Sequence, residues 1–427
     1  MTDKPLSDAE LLDLVQSQTL KYFWDFGHPV SGMARERSTG SYHYDPEHTV
    51  TTGGTGFGIM AMIAGAERGF IAKDDVAQRV EKIVSFLEKA DQFHGAFSHF
   101  MDGRTGKVIP FSEKDDGGDL VETSFLMMGL LTARQYFKDT HPALAVRINT
   151  MWEKVEWDKY MRPDNNKLMW HWSPNHPWSD NNLGIMGWNE CLITHVLAAS
   201  SPIHGTGRKA YEASWLTGVE FKNGNTYHER ELPLGPEKGG PLFFTHYSFL
   251  GLDPRGLKDE HADYWQQNRH HALINHAHCV ENPGGFKGYG DECWGLTASD
   301  NHEGYNAHSP TNDHGVITPT AALSSFPYTP EESMKALRYF YGTLGNKIWG
   351  EYGFKDAFNE SAGWVAKSYL AIDQGPIVGM IENYRSGLLW RLFMSCPEVK
   401  EGLKILEFET PYAPEISMMD GPDQAPV

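Results

Sequence analysis

The segment GGTGFGIMAMIAGA, residues 53–66, combines glycine, alanine and threonine with apolar side chains and carries no charge. Because its apolar residues are spread around the helical wheel, a helix formed here would be buried on every side. Further segments share this composition and begin near residues 119, 188, 241, 317 and 371. We therefore predict six inner helices that are surrounded by other parts of the protein.

A second kind of segment is charged and amphipathic, with apolar residues recurring every three or four positions. The clearest examples are AKDDVAQRVEKIVSFLEKA (72–90), ALAVRINTMWEKVEW (143–157) and TPEESMKALRYFYGTL (329–344). Alternation of the two kinds predicts an all-α fold, an (α/α)6 toroid with six inner and six outer helices. Because no Pro- or Ser-rich linker divides the chain, we expect residues 1–427 to form a single domain.

Short extended pieces and long loops should interrupt the helices, at the mouth of the toroid. Residues 96–111, AFSHFMDGRTGKVIPF, alternate around an Asp-Gly pair and predict a hairpin. The Gly-, His- and Asn-rich tract 281–316 is expected to be loop, and loops of that length are usually functional. Near the start, Ser7 and Glu10 form a predicted capping box ahead of the first helix.

The composition excludes several classes of partner. The 56 acidic residues outnumber the 37 Lys and Arg, which gives a formal net charge of -19. Such a charge disfavours nucleic acid and anionic membranes but not a neutral ligand. No apolar run is long enough for a membrane span, and no secretory leader is visible, so a cytoplasmic protein is expected. The four cysteines show no paired spacing and are predicted to be reduced: Cys191, Cys279, Cys293 and Cys396.

Acidic residues recur at the predicted starts of inner helices. In KDDGGDLVETSF, Asp115, Asp119 and Glu122 stand at i, i+4 and i+7, so a helix would place them on one face. Glu190 and Asp373 begin two other inner segments. In a toroid the loops leading into inner helices line one mouth, so these acids should converge there. Convergent carboxyls suit glycosidic cleavage, since one must protonate the leaving oxygen and another must activate water or attack.

A structural explanation competes with this one. Asp119 and Glu122 also fit a helix N-cap followed by an acid at N3. Asp373 precedes Gly-Pro at a helix start, where capping is a serious rival. Glu190 lies in an apolar setting between Asn189 and Cys191, where a carboxyl is rarely buried without a partner or a role.

Aromatic residues give the second functional signal. The tract 168–190, LMWHWSPNHPWSDNNLGIMGWNE, is too rich in Pro and Asn for a core helix. It contains Trp170, Trp172, Trp178 and Trp188, and we expect half of them to line a cleft. Flat rings accept the C–H faces of sugars, while neighbouring polar groups take the hydroxyls. On the inner segment of Asp373, the polar-tipped side chains of Tyr384 and Arg385 are further candidates for binding.

Several segments partly match known metal-, phosphate- or zinc-binding motifs, but each lacks a required part. DDGGD matches the metal-diphosphate motif DDxxD, but the second metal motif is absent and few basic residues accompany the first. TTGGTGFG lacks the lysine of a P-loop, and HHALINHAHC lacks the spacing of a zinc site. No GxSxG sequence suggests acyl chemistry. We therefore predict no metal and no cofactor.

Longer motifs identify a resemblance. GYGDECWGLTASD, NDHGVITPTAALSSFPYTPEE, YGFKDAFN and IDQGPIVGMIENYRSGLLW occur in this order and resemble the bacterial glycoamylase-like domain family. Its best-understood members are inverting endo-β-1,2-glucanases with an (α/α)6 barrel. The resemblance implies that Glu190 is the general acid and Asp373 the base, acting through a relay of substrate hydroxyl and water. Asp115, Asp119 and Glu122 would then line subsites beside the scissile bond.

The expected function is therefore hydrolysis of β-glucan, most of all β-1,2-linked glucan or oligosaccharides. Two alternatives stay open: a transglycosylase or glycosyltransferase with Asp119 or Glu122 as nucleophile, and a non-catalytic carbohydrate-binding protein. The oligomeric state could be monomer or dimer. The side chains predicted to bind substrate are Asp115, Trp172, Trp178, Trp188, Tyr289, Trp294, Tyr384 and Arg385.

Overall fold

The computed structural model describes residues 6–40, 44–178, 180 and 182–412. Helices dominate this part of the chain. The first α-helices are α1 (Asp8–Trp24), α2 (Thr52–Glu67), α3 (Lys73–Leu87), α4 (Leu120–Phe137), α5 (Pro142–Glu153), α6 (Leu192–Ser200) and α7 (Gly207–Ala213). The later ones are α8 (Tyr264–Glu281), α9 (Pro319–Leu323), α10 (Pro330–Gly342), α11 (Gly345–Ile348), α12 (Ala371–Arg385), α13 (Leu388–Met394) and α14 (Pro397–Ile405).

The strands are short and all pairings are antiparallel. One sheet has the order β1 (Thr49–Thr51), β2 (Phe100–Asp102), β3 (Val108–Ile109). Five two-stranded pairs follow: β4 (Gly118–Asp119) with β5 (His171–Trp172), β6 (Lys222–Tyr227) with β7 (Arg230–Leu234), β8 (Ala298–Asn301) with β9 (Gly304–Ala307), β10 (Trp349–Gly350) with β11 (Gly353–Phe354), and β12 (Phe358–Asn359) with β13 (Trp364–Val365).

Most local predictions are confirmed. The three amphipathic segments form α3, α5 and α10, and the 96–111 segment pairs β2 with β3 around the Asp102–Gly103 turn. The Ser7 hydroxyl and the Glu10 carboxylate cap α1 reciprocally. All four cysteines are free and buried. No helix in the described ranges is both long and apolar enough to cross a membrane.

Two local predictions are wrong. The segment beginning at 241 forms short 3-10 turns, Leu242–Thr245 and Ser248–Leu250, instead of an α-helix. The carbonyl of Thr245 accepts a hydrogen bond from the Tyr328 hydroxyl, so tertiary contacts use backbone groups that a helix would occupy. The 281–316 tract contains the β8–β9 hairpin, whose Asp300↔Tyr305 pairing was hidden by its polar composition.

The core is centred on helix α2, whose one charged residue is Glu67 at its C-terminal end, and which packs against α4 and α12. A Cβ atom on Gly56 would lie 2.1 Å from the carbonyl oxygen of Phe125, and one on Gly129 would lie 2.3 Å from that of Gly56. The backbones of α2 and α4 are therefore in direct contact. Between the helices, the rings of Phe57, Phe125 and Tyr247 meet with centroids 5.1–5.8 Å apart.

Candidate active site

A cavity of about 330 Å³ opens at the N-terminal ends of several buried helices. Thr51 is at the N-cap position of α2, Glu122 lies in the first turn of α4, Glu190 lies two residues before α6, and Ile372 lies in the first turn of α12. All four residues line the cavity. Its other charged side chains are Glu36, Arg37 and His99. Aromatic rings form much of the remaining wall: Tyr44, Phe100, Phe111, Phe243, Tyr247 and Tyr305.

Asp115, Asp119 and Glu122 meet around His99. Of these residues only Glu122 and His99 line the cavity. Asp115 and Asp119 are buried behind them, at 3% and 0% exposure, contrary to the expectation that Asp115 binds substrate and Asp119 takes part in catalysis. The His99 Nδ1 atom lies 3.1 Å from Asp119 Oδ2 and 3.5 Å from Asp115 Oδ2, while its Nε2 atom lies 3.9 Å from Glu122 Oε1. The three acids do not share a helical face: Asp115 is in a loop, Asp119 ends β4, and Glu122 lies in α4. They converge because the chain turns from strand into helix at Asp119.

The capping explanation holds for Asp119 but not for Glu122. Asp119 caps α4, since its carboxylate accepts a hydrogen bond from the backbone N–H of Glu122 at 2.9 Å. Glu122 does not return the bond. Its carboxylate instead accepts from the backbone N–H of Gly53, at the start of α2, at 2.7 Å. A Cβ atom at Gly53 would lie 2.6 Å from this oxygen, so only glycine fits. Glu122 is thus held across two inner helices and left facing the cavity.

Two acids that line the cavity have a pKa near neutral. Burial raises the pKa of Glu122 to about 7; His99 opposes the shift, and Asp119 adds to it. Burial also raises the pKa of Glu190 to about 7, with Glu122 and Asp119 contributing in the same direction. A carboxyl with such a pKa is suited to donate a proton at neutral pH. The Ser248 hydroxyl donates to the Glu190 backbone carbonyl and fixes the turn that carries it.

Asp373 lies behind the cavity wall. It is only 2% exposed, and it does not line the cavity, although its neighbour Ile372 does. Neither of its carboxyl oxygens receives a hydrogen bond from an N–H or hydroxyl donor among the described residues. Burial raises its pKa to about 7, and the charge of Asp300 adds to the shift, whereas the neighbouring Asp356 carboxyl and Arg37 oppose it.

The Asp356–Asp373 pair belongs to a second charged group, one that includes Arg37. Asp356 accepts a hydrogen bond from the backbone N–H of Asp300 at 2.8 Å. The Asp300 carboxylate in turn accepts from Arg37 at 3.0 and 3.2 Å, and Arg37 also pairs with Glu36 at 2.7 Å. Since Glu36 and Arg37 line the cavity, this chain of contacts connects the cavity to the buried Asp373.

The tryptophans of the 168–190 tract divide between groove and core. Trp172 and Trp178 line a separate, open groove of about 440 Å³, together with residues 173–177. The pairing of β4 with β5 puts Trp172 opposite Gly118, next to the acids. Trp188 is buried at 2% exposure and packs against Trp215, contrary to the expectation that it binds substrate.

Four other predicted binding residues lie outside the cavity. Trp294 is fully buried, and its indole N–H donates to the Glu332 carbonyl at 3.2 Å. The Tyr289 hydroxyl donates to Asp313 at 2.8 Å. Tyr384 packs on Phe326, and Arg385 pairs with Asp13 at 2.6 Å. Tyr384 and Arg385 end α12, about 16 Å along the helix from Asp373, which is why they cannot share its end of the molecule.

Sequence reasoning missed several cavity residues, chiefly Glu36, Arg37 and His99. His99 lies within the predicted hairpin, but nothing in its spacing points to Asp119, which contacts it across the fold. A ring nitrogen of His99 and one carboxylate oxygen each of Asp115 and Asp119 lie within 4.8 Å of one another. This spacing would also allow the three atoms to bind one small cation. Here the imidazole Nδ1 faces both carboxylates, so one proton on this nitrogen can serve them both.

Comparison with known proteins gives the family. The family model described as "Glycoamylase: Putative glucoamylase" matches residues 182–397. An exo-β-1,2-glucooligosaccharide sophorohydrolase (non-reducing end) of Parabacteroides distasonis is 47% identical over 95% of this chain. The match spans 59% of that relative's own length. The chain belongs to the glycoamylase-like family.

Solved structures agree with this assignment. An endo-β-1,2-glucanase of Chitinophaga pinensis, in complex with sophorotriose and glucose, is 53% identical with a TM-score of 0.92. The alignment covers 96% of this chain and all of that one. A β-1,2-glucanase of Parabacteroides distasonis is 46% identical with a TM-score of 0.90, covering 95% of this chain and 61% of the other. The endo-β-1,2-glucanase of Talaromyces funiculosus, 13% identical with a TM-score of 0.65 over 93% of this chain and 88% of its own, shares the fold.

Proposed function

We propose that this protein is a glycoside hydrolase that cleaves β-1,2-linked glucan or its oligosaccharides. The observation that carries the proposal is the cavity in which Glu190 and Glu122, two carboxyls with raised pKa, face the same space between aromatic walls. The linkage comes from the relatives, which are named for action on β-1,2-glucan and its oligosaccharides.

We infer that the helices form a single (α/α)6 domain. In support, α2 contacts α4, α4 contacts α6, and α12 contacts both α9 and α2. The 3-10 segment 242–250 stands between α6 and α9: Ser248 accepts from Ile193 N–H in α6, and His246 hydrogen-bonds Ser325 just after α9. The amphipathic helices α3, α5 and α10 pack outside α2, α4 and α9.

Glu190 acts as the general acid in the proposed reaction. Its proton passes to the glycosidic oxygen as the bond from that oxygen to C1 breaks. A water molecule adds its hydroxide to C1 and gives up a proton to a carboxylate. Asp373 is the proposed base, and the relay of substrate hydroxyl and water that the family resemblance implies carries the proton to this buried carboxyl. In this reaction Glu122 holds a sugar hydroxyl beside the scissile bond, and Asp115 and Asp119 hold His99 in place behind it.

The decisive experiment is incubation with β-1,2-glucan, laminarin, cellulose and starch, with products followed by NMR. We expect cleavage of β-1,2-glucan alone and an initial product of inverted anomeric configuration. Glu190→Gln should lower kcat by at least about 10³-fold, because the leaving oxygen loses its proton donor. Sophorose as the first product would indicate exo action, and a mixture of lengths endo action. An unaltered rate in Glu190→Gln would contradict the catalytic assignment and favour a role in binding.

One observation favours a second mechanism on the same substrate. Glu122 lines the cavity and Asp373 does not, so Glu122 could attack C1 as a nucleophile and give retention or transglycosylation. Asp373→Asn and Glu122→Gln separate the two possibilities. If Glu122 were the nucleophile, the initial product would keep its anomeric configuration, and Asp373→Asn would retain most of the activity.

A further inference from the structure

The His99 ring, which lines the cavity, contacts Asp115, Asp119 and Glu122. Its Nδ1 atom faces Asp119 at 3.1 Å and Asp115 at 3.5 Å, and its Nε2 atom faces Glu122 at 3.9 Å. The carboxyls are deeply buried, at 3%, 0% and 7% exposure for Asp115, Asp119 and Glu122. Three ionised acids in such a place repel each other strongly unless a cation stands between them.

The ring of His99 is fixed by its own neighbours. It stacks on Phe111, with centroids 4.2 Å apart and planes 13° apart, and meets the edge of Phe100 at 4.6 Å. An aromatic face favours a cation above it, so this stacking stabilises the imidazolium form. The backbone N–H of Asp119 donates to the Phe97 carbonyl at 2.8 Å, which ties the chain segment of His99 to the strand of the acids.

The charges around His99 come from several elements, and most are negative. Besides the three acids, Glu36 acts on it from the segment before β1, and His171 of β5 lies 4.0 Å from Asp115 Oδ2. Burial alone would lower the pKa of His99, but Glu122, Asp115 and Asp119 together raise it well above its ordinary value. The imidazole is therefore charged over the neutral range.

We propose that His99 is a positioning residue: as an imidazolium held between Phe100 and Phe111 and anchored by Asp115 and Asp119, it favours the ionised form of Glu122 and orients that carboxylate toward bound sugar. This inference rests on the proposed function, since it assigns Glu122 the ionised role in the same cavity. Glu190 lines the cavity too, but the charges acting most on it are those of Glu122 and Asp119. Of the two glutamates that line the cavity, only Glu122 therefore has a cation beside it, which favours the proton on Glu190 when the two share one.

The kinetic test compares His99→Gln with His99→Lys, using kcat/KM on β-1,2-glucan from pH 4 to 9. Without the cation, Glu122 holds its proton to higher pH, so in His99→Gln the acidic limb should move up by about one pH unit. At pH values below this limb's midpoint in the wild type, kcat/KM of His99→Gln should be about tenfold lower than that of the wild type. His99→Lys returns the positive charge and should bring the limb most of the way back. A purely structural histidine would lower the melting temperature without moving the limb.

His204→Gln is the matched control. His204 also pairs with an aspartate, Asp158 at 3.1 Å, but away from the cavity, so its pH profile should match the wild type. If the wild type cleaves β-1,2-glucan and the acidic limb of His99→Gln is unmoved, the role of His99 is overturned while the proposed function stands. A wild type without glucanase activity would overturn the proposed function instead.

An NMR titration tests the charge of His99 without any assay of activity. Protein labelled with ¹³C in the histidine rings shows one resonance that disappears in both His99 variants. We expect this resonance to keep the chemical shift of an imidazolium at pH 7. A neutral imidazole at pH 7 would overturn the proposal, whether or not the protein is a glucanase.

Discussion

The carboxyls of Glu190 and Glu122 face the same cavity with opposite electrostatic surroundings. Glu122 has the His99 ring 3.9 Å away and a hydrogen bond from the Gly53 N–H, both of which favour its charge. The charges acting most on Glu190 are negative, and burial adds to their effect. Two residues of one chemical type, each with a pKa raised to about 7, thus have different charged neighbours, and only Glu122 has a cation that favours its ionised form.

The raised pKa of Glu190 has a consequence for stability. Its pKa is about 7 in the folded protein and 4.5 as the ordinary value, so folding favours the protonated form between these values. The stabilisation is complete below about pH 4.5 and is lost as the pH rises through 7. Glu190→Gln mimics the protonated carboxyl, so at pH 8 it should be more stable than the wild type by roughly 2 kcal/mol.

Chemical denaturation at pH 4.5 and at pH 8 measures this difference. We expect near-equal free energies of unfolding for the two proteins at the lower pH. The exposed Glu401→Gln serves as the control and should change little at either pH. A Glu190→Gln variant that is less stable than the wild type at pH 8 would show that the carboxylate is stabilised in place, against the acid assignment.

At the level of helices, glycine determines how closely α2 and α4 approach. The Cβ of an alanine at position 129 would lie 2.3 Å from the Gly56 carbonyl oxygen, and neither backbone can move without disturbing the other. We expect Gly129→Ala to lower the free energy of unfolding by about 3 kcal/mol, as overpacking in a close-packed core does. Urea denaturation followed by circular dichroism measures the effect.

Gly342→Ala is the matched control for that substitution. Gly342 ends α10, and an added Cβ would have no atom within 4 Å. Because alanine favours helix over glycine, the expected change is neutral to about 1 kcal/mol of stabilisation. Equal effects at positions 129 and 342 would mean that helix propensity, and not the contact between α2 and α4, decides the outcome.

On the scale of the whole molecule, an ion pair joins helices from opposite ends of the chain. Arg68, at the end of α2, binds Glu382 of α12 through two hydrogen bonds of 2.7 and 3.0 Å. The Glu382 side chain is fully buried. Arg68→Met would leave that carboxylate without its cation, so we expect a loss of about 3 kcal/mol in the free energy of unfolding.

The double variant Arg68→Met/Glu382→Gln should recover at least half of this loss, since it removes the unpaired charge. Arg104→Met is the control, because Arg104 and Asp102 form an exposed pair worth about 1 kcal/mol or less. Thermal or urea denaturation of the four proteins provides the comparison. A double variant no more stable than Arg68→Met would indicate that packing of the arginine side chain, rather than charge, holds α2 to α12.

Sequence patterns predicted helices correctly where the pattern depends on residues close together in the chain. The charged faces of α3 and α10 and the cap at Ser7 depend on residues within a few positions of each other. The helix prediction for segment 242–250 was wrong, because this segment makes hydrogen bonds with Tyr328 and Glu190, which are far away in the chain. The cytoplasmic location and the oligomeric state stay predictions.

The acids of the site were predictable in kind, and their geometry was not. Asp115, Asp119, Glu122 and Glu190 stood out as carboxyls in apolar or crowded settings. His99 did not, because an isolated histidine in a hairpin carries no signal until the fold brings it to Asp119. Trp294 and Trp188 were predicted to bind substrate because aromatic rings pack on sugars, but both are buried in the core.

The amino-acid order by itself determined most of the helical segments, with 242–250 the exception, as well as which helices would be buried and which carboxyls stand in an apolar setting. These properties depend on side-chain chemistry and on spacing over one or two helical turns. Only the tertiary structure decided which acids share a cavity, which one has a cation beside it, and which lies behind the wall. Those outcomes depend on distances between residues far apart in the chain, and electrostatic energy and burial follow distance in space.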